Sequence, residues 1–146
     1  MTETTETTEP TTDNTRTVEG FLNALQDGDF ETAEAALDYN LVYENVGLPT
    51  IRGRSRAMKL LRQMDGRTGF EVKIHRIAAD GAAVLTERTD ALILGPLRLQ
   101  FWVCGVFEVH DGRITLWRDY FDFFDMLKGT VRGLVALVIP SFRATF

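Results

Sequence analysis

Three dipeptides punctuate the second half of this chain: Asp80-Gly81, Gly95-Pro96 and Asp111-Gly112. Each is a tight-turn signal, because two-residue hairpin loops need positive φ values that Gly, and to a lesser degree Asp, tolerate. The segments between them have strand length and strand-like alternation. Strands are therefore predicted at about 70–78, 83–94, 97–109 and 113–121, joined as an antiparallel meander. A further strand is predicted at 40–46.

The first half reads differently. Val18, Phe21, Leu22 and Leu25 recur at i, i+3, i+4, i+7, with Asn14 or Thr15 placed to cap them and Asp27-Gly28 to end the helix. Asp29 can cap a second, short helix with Phe30, Ala33 and Leu37 on its buried side. Ala57, Leu60, Leu61 and Met64 mark a third helix over 54–64, whose Arg54, Arg56, Lys59 and Arg62 form a solvated basic face. Phe123–Val138 is helical again, with Leu127, Val131, Leu134, Val135 and Val138 on one stripe. Helices mostly first and strands after them make an α+β class, with N-terminal helices packed on one face of a mixed or antiparallel sheet.

Residues 1–13 hold Glu3, Glu6, Glu9 and Asp13, no Lys or Arg, and are otherwise mostly Thr. They read as a disordered acidic tail, because such a stretch buries too little apolar surface to offset ordering entropy. A single domain over 14–146 is expected. The net charge of −5 belongs mainly to the four tail acids, which leaves a body near −1. A nearly neutral body excludes nucleic acid as the main partner, since phosphate binding needs a basic face. Cys104 is alone, so no intrachain disulfide is available. With two His and one Cys, no metal site of usual zinc or iron composition is expected. His75 and His110 read as structural or solvated. Neither Ser55 nor Ser141 sits in a nucleophile elbow, and no Gly-rich dinucleotide or phosphate loop occurs. No apolar leader opens the chain, and the run 134–139 is far short of the ~20 residues of a membrane span. A cytoplasmic setting without membrane contact is the expectation.

Strand period is two, so alternate residues share a face. Leu41, Tyr43 and Asn45 share one. Val84, Thr86, Arg88, Asp90, Leu92 and Leu94 share another. Thr115, Trp117, Asp119 and Phe121 share a third. Each group sets polar residues among apolar ones, and a buried charge must be paired. Arg88 and Asp90 can pair as i, i+2. Taken alone they make a structural ion pair, and Asp119 alone is an acid that salt-bridges a neighbour. Convergence also meets a parity conflict. With two-residue loops at 95–96 and 111–112, Asp90 lies opposite Phe101 and Asp119 opposite Cys104, on opposite faces. A shift of one residue is required, at a three-residue loop around Pro96 or a bulge at Gly105.

The motifs Y-E-N at 43–45, E-R-T-D at 87–90 and W-R-D-Y-F-D at 117–122 resemble the limonene epoxide hydrolase family. The resemblance covers nearly all of the chain after residue 13. It implies a cone-shaped α+β fold, with N-terminal helices on a strongly curved sheet, shared with nuclear transport factor, ketosteroid isomerase and polyketide cyclase relatives. It also implies a homodimer, no cofactor and one-step addition of water to an apolar, terpene- or lipid-like epoxide. Carried over residue by residue, Asp119 is the general base. Tyr43 and Asn45 hold the attacking water, Asp90 is the general acid, and Arg88 bridges the two carboxylates. The chemistry agrees. An acid must keep its proton near neutral pH, whereas an ordinary Asp loses it near 3.9. An apolar pocket and a second carboxylate raise that value, and the two acids should share roughly one proton. The segment 123–146 is expected to close the pocket mouth or to line the dimer contact. Two other readings fit part of the pattern: an isomerase or cyclase on the same fold, and a non-catalytic carrier of apolar ligands.

Overall fold

The computed structural model describes residues 8–146, with side-chain surroundings from residue 13 onward. Of the tail expected at 1–13, residues 1–7 lie outside the described residues. Helix α1 (Thr8–Asp27) runs through the remainder. Asn14 and Thr15 therefore sit inside this helix and do not cap it. Asp29 does cap α2 (Phe30–Ala35), accepting from the Thr32 amide at 3.2 Å. Leu37, expected on α2, instead opens strand β1 (Leu37–Asn45). A two-residue strand that the sequence did not signal, β2 (Ile51–Arg52), precedes α3 (Arg54–Arg62). The meander follows as β3 (Gly69–Asp80), β4 (Ala83–Leu94), β5 (Leu97–His110) and β6 (Arg113–Phe121). Helix α4 (Phe123–Val138) and a 3-10 turn (Pro140–Phe142) come last.

The six strands form one sheet in the order β2-β1-β6-β5-β4-β3. β1 pairs parallel with β6, and every other neighbouring pair is antiparallel, so the sheet is mixed. Its helix-covered face holds the core. Val18, Phe21, Leu22 and Leu25 of α1 are buried there with Ala57, Met58 and Leu61 of α3 and with Val84, Phe107 and Ile114 of the sheet. On α3 the buried stripe includes Met58, while Leu60 is 42% exposed. Met58 and Leu61 are i, i+3 neighbours and share the inward side. The basic face of α3 is met in part: Arg62 pairs with Glu34 at 2.7 Å, both partly exposed.

The parity conflict is resolved beside the last turn, at neither of the two expected places. Leu94 pairs with Leu97 and Asp90 with Phe101, so the Gly95-Pro96 loop has two residues and no bulge. Gly95 takes φ +59°, and Pro96 is not among the positive-φ residues. That is the II′ arrangement, which places positive φ only on the Gly and so tolerates Pro. At the next turn Asp111 (φ 52°) and Gly112 (φ 75°) are both positive, as type I′ requires. Glu108 then pairs with Leu116 but Val109 with Ile114, leaving Thr115 as an extra residue on β6. The Thr115 hydroxyl donates to the Glu108 carbonyl at 3.3 Å across this bulge. The shift sets Asp119 opposite Gly105, on the same face as Phe101 and hence as Asp90.

β6 stops opposite Val103, which leaves residues 97–102 of β5 without a strand partner on that side. Helix α4 covers this edge. Asp125 accepts from the Trp102 amide at 3.0 Å. A Cβ on Gly129 or Gly133 would lie 2.5 Å from the Gln100 carbonyl oxygen or 2.6 Å from that of Arg98, so both positions must lack one. The predicted apolar stripe of α4 stays exposed, from Val135 at 38% to Val138 at 83%. Among the described residues no helix is long and apolar enough to cross a membrane.

Candidate active site

Three strands place the charged and polar side chains. Arg88 and Asp90 stand two residues apart on β4, and Asp119 stands on β6 with β5 between them. β1 lies on the other side of β6, where its parallel register sets Tyr43 beside Trp117 and Asn45 beside Asp119. Tyr43 and Asn45 are thereby brought to the same face as the two acids.

Arg88 is the centre of the cluster and is 1% exposed. Its Nε donates to Asp90 Oδ1 at 2.9 Å and its Nη2 to Asp90 Oδ2 at 3.1 Å, a two-toothed pairing. The same Nη2 donates to Asp119 Oδ2 at 2.8 Å. Nη1 donates to Thr86 Oγ1 at 3.1 Å. Asn45 Nδ2 donates to the Tyr43 hydroxyl oxygen at 3.1 Å. The Tyr43 ring stacks on Trp117 at 4.0 Å, and Phe21 meets Trp117 edge-on at 5.0 Å. Asp119 Oδ1 is buried without a hydrogen-bond partner, as is Trp117 Nε1. A buried carboxylate oxygen with unused lone pairs is costly.

These groups floor a cavity of about 300 Å³. Tyr43, Asn45, Asp90 and Asp119 line it, and most of the remaining wall is apolar, with Leu25, Leu61, Leu92, Phe101 and Phe121 among its residues. Leu48, Leu60 and Phe123, each more than two-fifths exposed, stand at its rim. Phe123 and Met126 show that the start of α4 does reach the cavity, whereas its later apolar stripe does not. The cleft between α4 and the other face of β5, lined by Gln100, Trp102, Lys128 and Arg132, contains none of the predicted site residues.

The surroundings shift the titration of the whole set. Burial is the main influence on Asp90 and pushes its carboxyl up to about 6; the Arg88 charge and hydrogen bonds oppose this, and the Asp119 charge adds to it. Asp119 is also raised, chiefly by burial, against the pull of Arg88 and, more weakly, of the neighbouring Trp117 N–H. That indole N–H is close enough to act on the carboxylate but makes no hydrogen bond of standard geometry. The Tyr43 hydroxyl is pushed up to about 12, first by burial and then by the Asp119 charge, so it stays neutral at ordinary pH. For Arg88 burial is the largest single influence and pulls downward, but Asp119 and Asp90 together outweigh it and hold the guanidinium charged.

Four of the five residues singled out from sequence line this cavity; Arg88 is buried beside it, bonded to both Asp90 and Asp119. Thr86 was placed on the right face, but its bond to Arg88 was not foreseen. Gly105 was read only as a bulge candidate, and no sequence signal shows what lies above it. His75 is outside the cavity lining: its ring stacks on Trp102 and meets Thr89 Oγ1 at 2.7 Å. His110 is exposed, 3.8 Å from Glu108. Among the described residues no three His, Cys, Asp or Glu side chains converge as a metal site needs.

A family profile described as limonene-1,2-epoxide hydrolase catalytic domain matches residues 12–132. This chain belongs to the limonene-1,2-epoxide hydrolase family. It is 75% identical over 128 residues to epoxide hydrolase EphG of Mycobacterium tuberculosis, covering 88% of this chain and 86% of that protein. A solved structure of an M. tuberculosis limonene-epoxide-hydrolase-like epoxide hydrolase shares 73% identity, with a TM-score of 0.91 over 93% of this chain and 97% of the other. A protein from Catenulispora acidiphila with a ketosteroid isomerase-like fold superposes with a TM-score of 0.69 at 14% identity, over 79% of this chain and 92% of that one. At that identity the likeness is one of fold alone. Membership of the limonene-1,2-epoxide hydrolase family makes this chain a hydrolase enzyme, as the motifs implied, on the α+β fold they implied.

Proposed function

We propose that this epoxide hydrolase adds water to an apolar, terpene- or lipid-like epoxide in one step, giving a vicinal diol without a covalent intermediate. Asp119 takes a proton from water while the water oxygen attacks a ring carbon. Tyr43 and Asn45 hold that water beside the Asp119 carboxylate. Asp90 gives its proton to the ring oxygen as the carbon–oxygen bond breaks. The cycle then leaves Asp119 protonated and Asp90 ionised, and a proton passing between them, beside the Arg88 Nη2 they share, restores the start. No cofactor enters this balance.

The observation that carries the reading is the single guanidinium between two buried carboxylates at the floor of an apolar cavity. Epoxide opening near neutral pH needs an acid and a base together, and each such group typically contributes about 10²–10⁴-fold. The raised Asp90 carboxyl supports the acid role. A cavity of about 300 Å³ with mostly apolar walls supports a compact lipophilic substrate. An isomerase or cyclase moving one proton has no use for the Tyr43–Asn45 pair. The exposed apolar stripe of α4 supports a homodimer as the working form, and the lone Cys104 supports a cytoplasmic setting.

The test is turnover of a panel of lipophilic epoxides in heavy-oxygen water. One labelled oxygen in the diol is the expected product. An unlabelled isomer, or binding with no product from any of the panel, overturns the proposal.

A further inference from the structure

Arg88 has to reach across a strand. It rises from β4, its second carboxylate stands on β6, and β5 lies between. Neighbouring strands are about 4.8 Å apart, so the guanidinium must pass over β5 to reach Asp119. Arg88 itself pairs with Val103, and the β5 residue in line with Asp119 is Gly105, which pairs with Thr86 on its other side. A Cβ built on Gly105 would lie 2.8 Å from Thr86 Oγ1 and 3.0 Å from Asp119 Oδ1, and would overlap Arg88 Nη1 outright. All three atoms belong to the charged cluster. The φ of Gly105 is not positive, so its backbone does not call for glycine. Glycine inside a strand is unfavourable on entropic grounds, and close approach of another group is the usual reason for one. Here the group is the guanidinium.

Thr86 completes the arrangement. It is 4% exposed, and its Oγ1 is the acceptor for Nη1, the one guanidinium nitrogen that no carboxylate binds. Holding Nη1 fixes the rotation of the guanidinium plane. That rotation lets Nη2 serve Asp90 and Asp119 at once.

We infer that Gly105 and Thr86 are positioning residues that seat Arg88 across β5, so that one guanidinium nitrogen bridges the two carboxylates. The catalytic consequence of this seat rests on the function proposed above; the seat itself does not. In Gly105→Ala the added methyl displaces Arg88 from Asp119. The Asp119 carboxyl then loses a stabilising charge and titrates at higher pH. In the isosteric Thr86→Val the passage stays open and only the acceptor is lost.

The test combines carbon-13 NMR titration of the Asp carboxyls with steady-state kinetics over a pH series on an epoxide that the wild type turns over in the panel above, in both variants and the wild type. Gly105→Ala is expected to raise the Asp119 pKa and to move the acid limb of kcat/KM to higher pH. It should also lower kcat on the order of 10²-fold, with KM changed by less than about twofold. Thr86→Val should show the same signs with about tenfold in kcat, the scale of one hydrogen bond to a charged group. A purely structural role would lower the melting temperature and leave the titration and the limb in place. An unmoved Asp119 titration in folded Gly105→Ala overturns the seat whatever the turnover. If Gly105→Ala does not fold, Thr86→Val with wild-type titration overturns it instead. A moved titration with wild-type turnover keeps the seat and overturns the proposed role of the bridge.

Discussion

One face of the sheet carries two regions of opposite chemistry. In the first, Val84, Phe107, Val109 and Ile114 pack against Val18, Phe21 and Leu22 of α1, apolar on apolar. A few residues along the same strands, Thr86, Arg88, Asp90 and Asp119 are buried just as deeply; Arg88 and Phe21 are each 1% exposed. The first region stabilises the fold at roughly 25 cal/mol for each Å² of apolar surface removed from water. The second carries a desolvation penalty that ion pairing offsets only in part. A sheet that can be apolar throughout, and is so at one end, holds charges at the other for a reason other than stability. Under the proposed function, the helix-covered end serves stability and the cavity end serves the chemistry.

The largest expected effect breaks the second region without harming the first. Asp90→Asn and Asp119→Asn should each lower kcat/KM by about 10²–10⁴-fold, with melting temperatures close to wild type. If the two acids share one proton, the cluster is already neutral beside Arg88, and an Asn stands in for the protonated carboxyl. Turnover at the wild-type rate in either variant would remove the acid–base assignment.

The mirror experiment is Leu22→Ala. Loss of a fully buried leucine should cost about 2–5 kcal/mol in urea unfolding while the folded fraction keeps its kcat. A large fall in kcat at full folding would show that the two regions are not separable. The smallest effect is on pH. With Asp90 raised to about 6, kcat/KM should decline above that pH, by about tenfold per unit, as the acid loses its proton. An unshifted carboxyl would put the decline near its ordinary value of 3.8. The stability effect has a fixed sign. A carboxyl whose folded pKa is raised gives its full contribution below the unfolded pKa and loses it as pH rises through the folded one. Unfolding free energy should therefore fall between pH 4 and about 6 in the wild type, and fall less in Asp90→Asn.

Helices α1 and α4 show what periodicity conveys. Both carry an apolar stripe readable from spacing alone. In α1, Val18, Phe21, Leu22 and Leu25 are buried as read; in α4, Leu127, Val131, Leu134 and Val138 are more than half exposed. Spacing identifies the apolar side of a helix, and only packing decides what covers it. α4 is held by other means: Asp125 on the Trp102 amide, and Gly129 and Gly133 against the unpaired edge of β5.

The three hairpin turns, the strands between them, the face shared by residues within each strand, and the motifs that mark the family were all legible in the sequence. These are local properties, fixed by backbone sterics and by a side-chain period of two or 3.6. Which faces coincide between strands was decided only in three dimensions. It depended on the II′ turn that accepts Pro96, on the extra Thr115 in β6, and on the parallel pairing of β1 with β6 that brings Tyr43 and Asn45 beside Asp119. The need for glycine at position 105 was decided there too, because the atom it makes room for belongs to a residue two strand partners away from Asp119 and seventeen positions earlier in the chain. A one-residue slip in register turns every following side chain to the other face, and no local rule records where a sheet takes that slip.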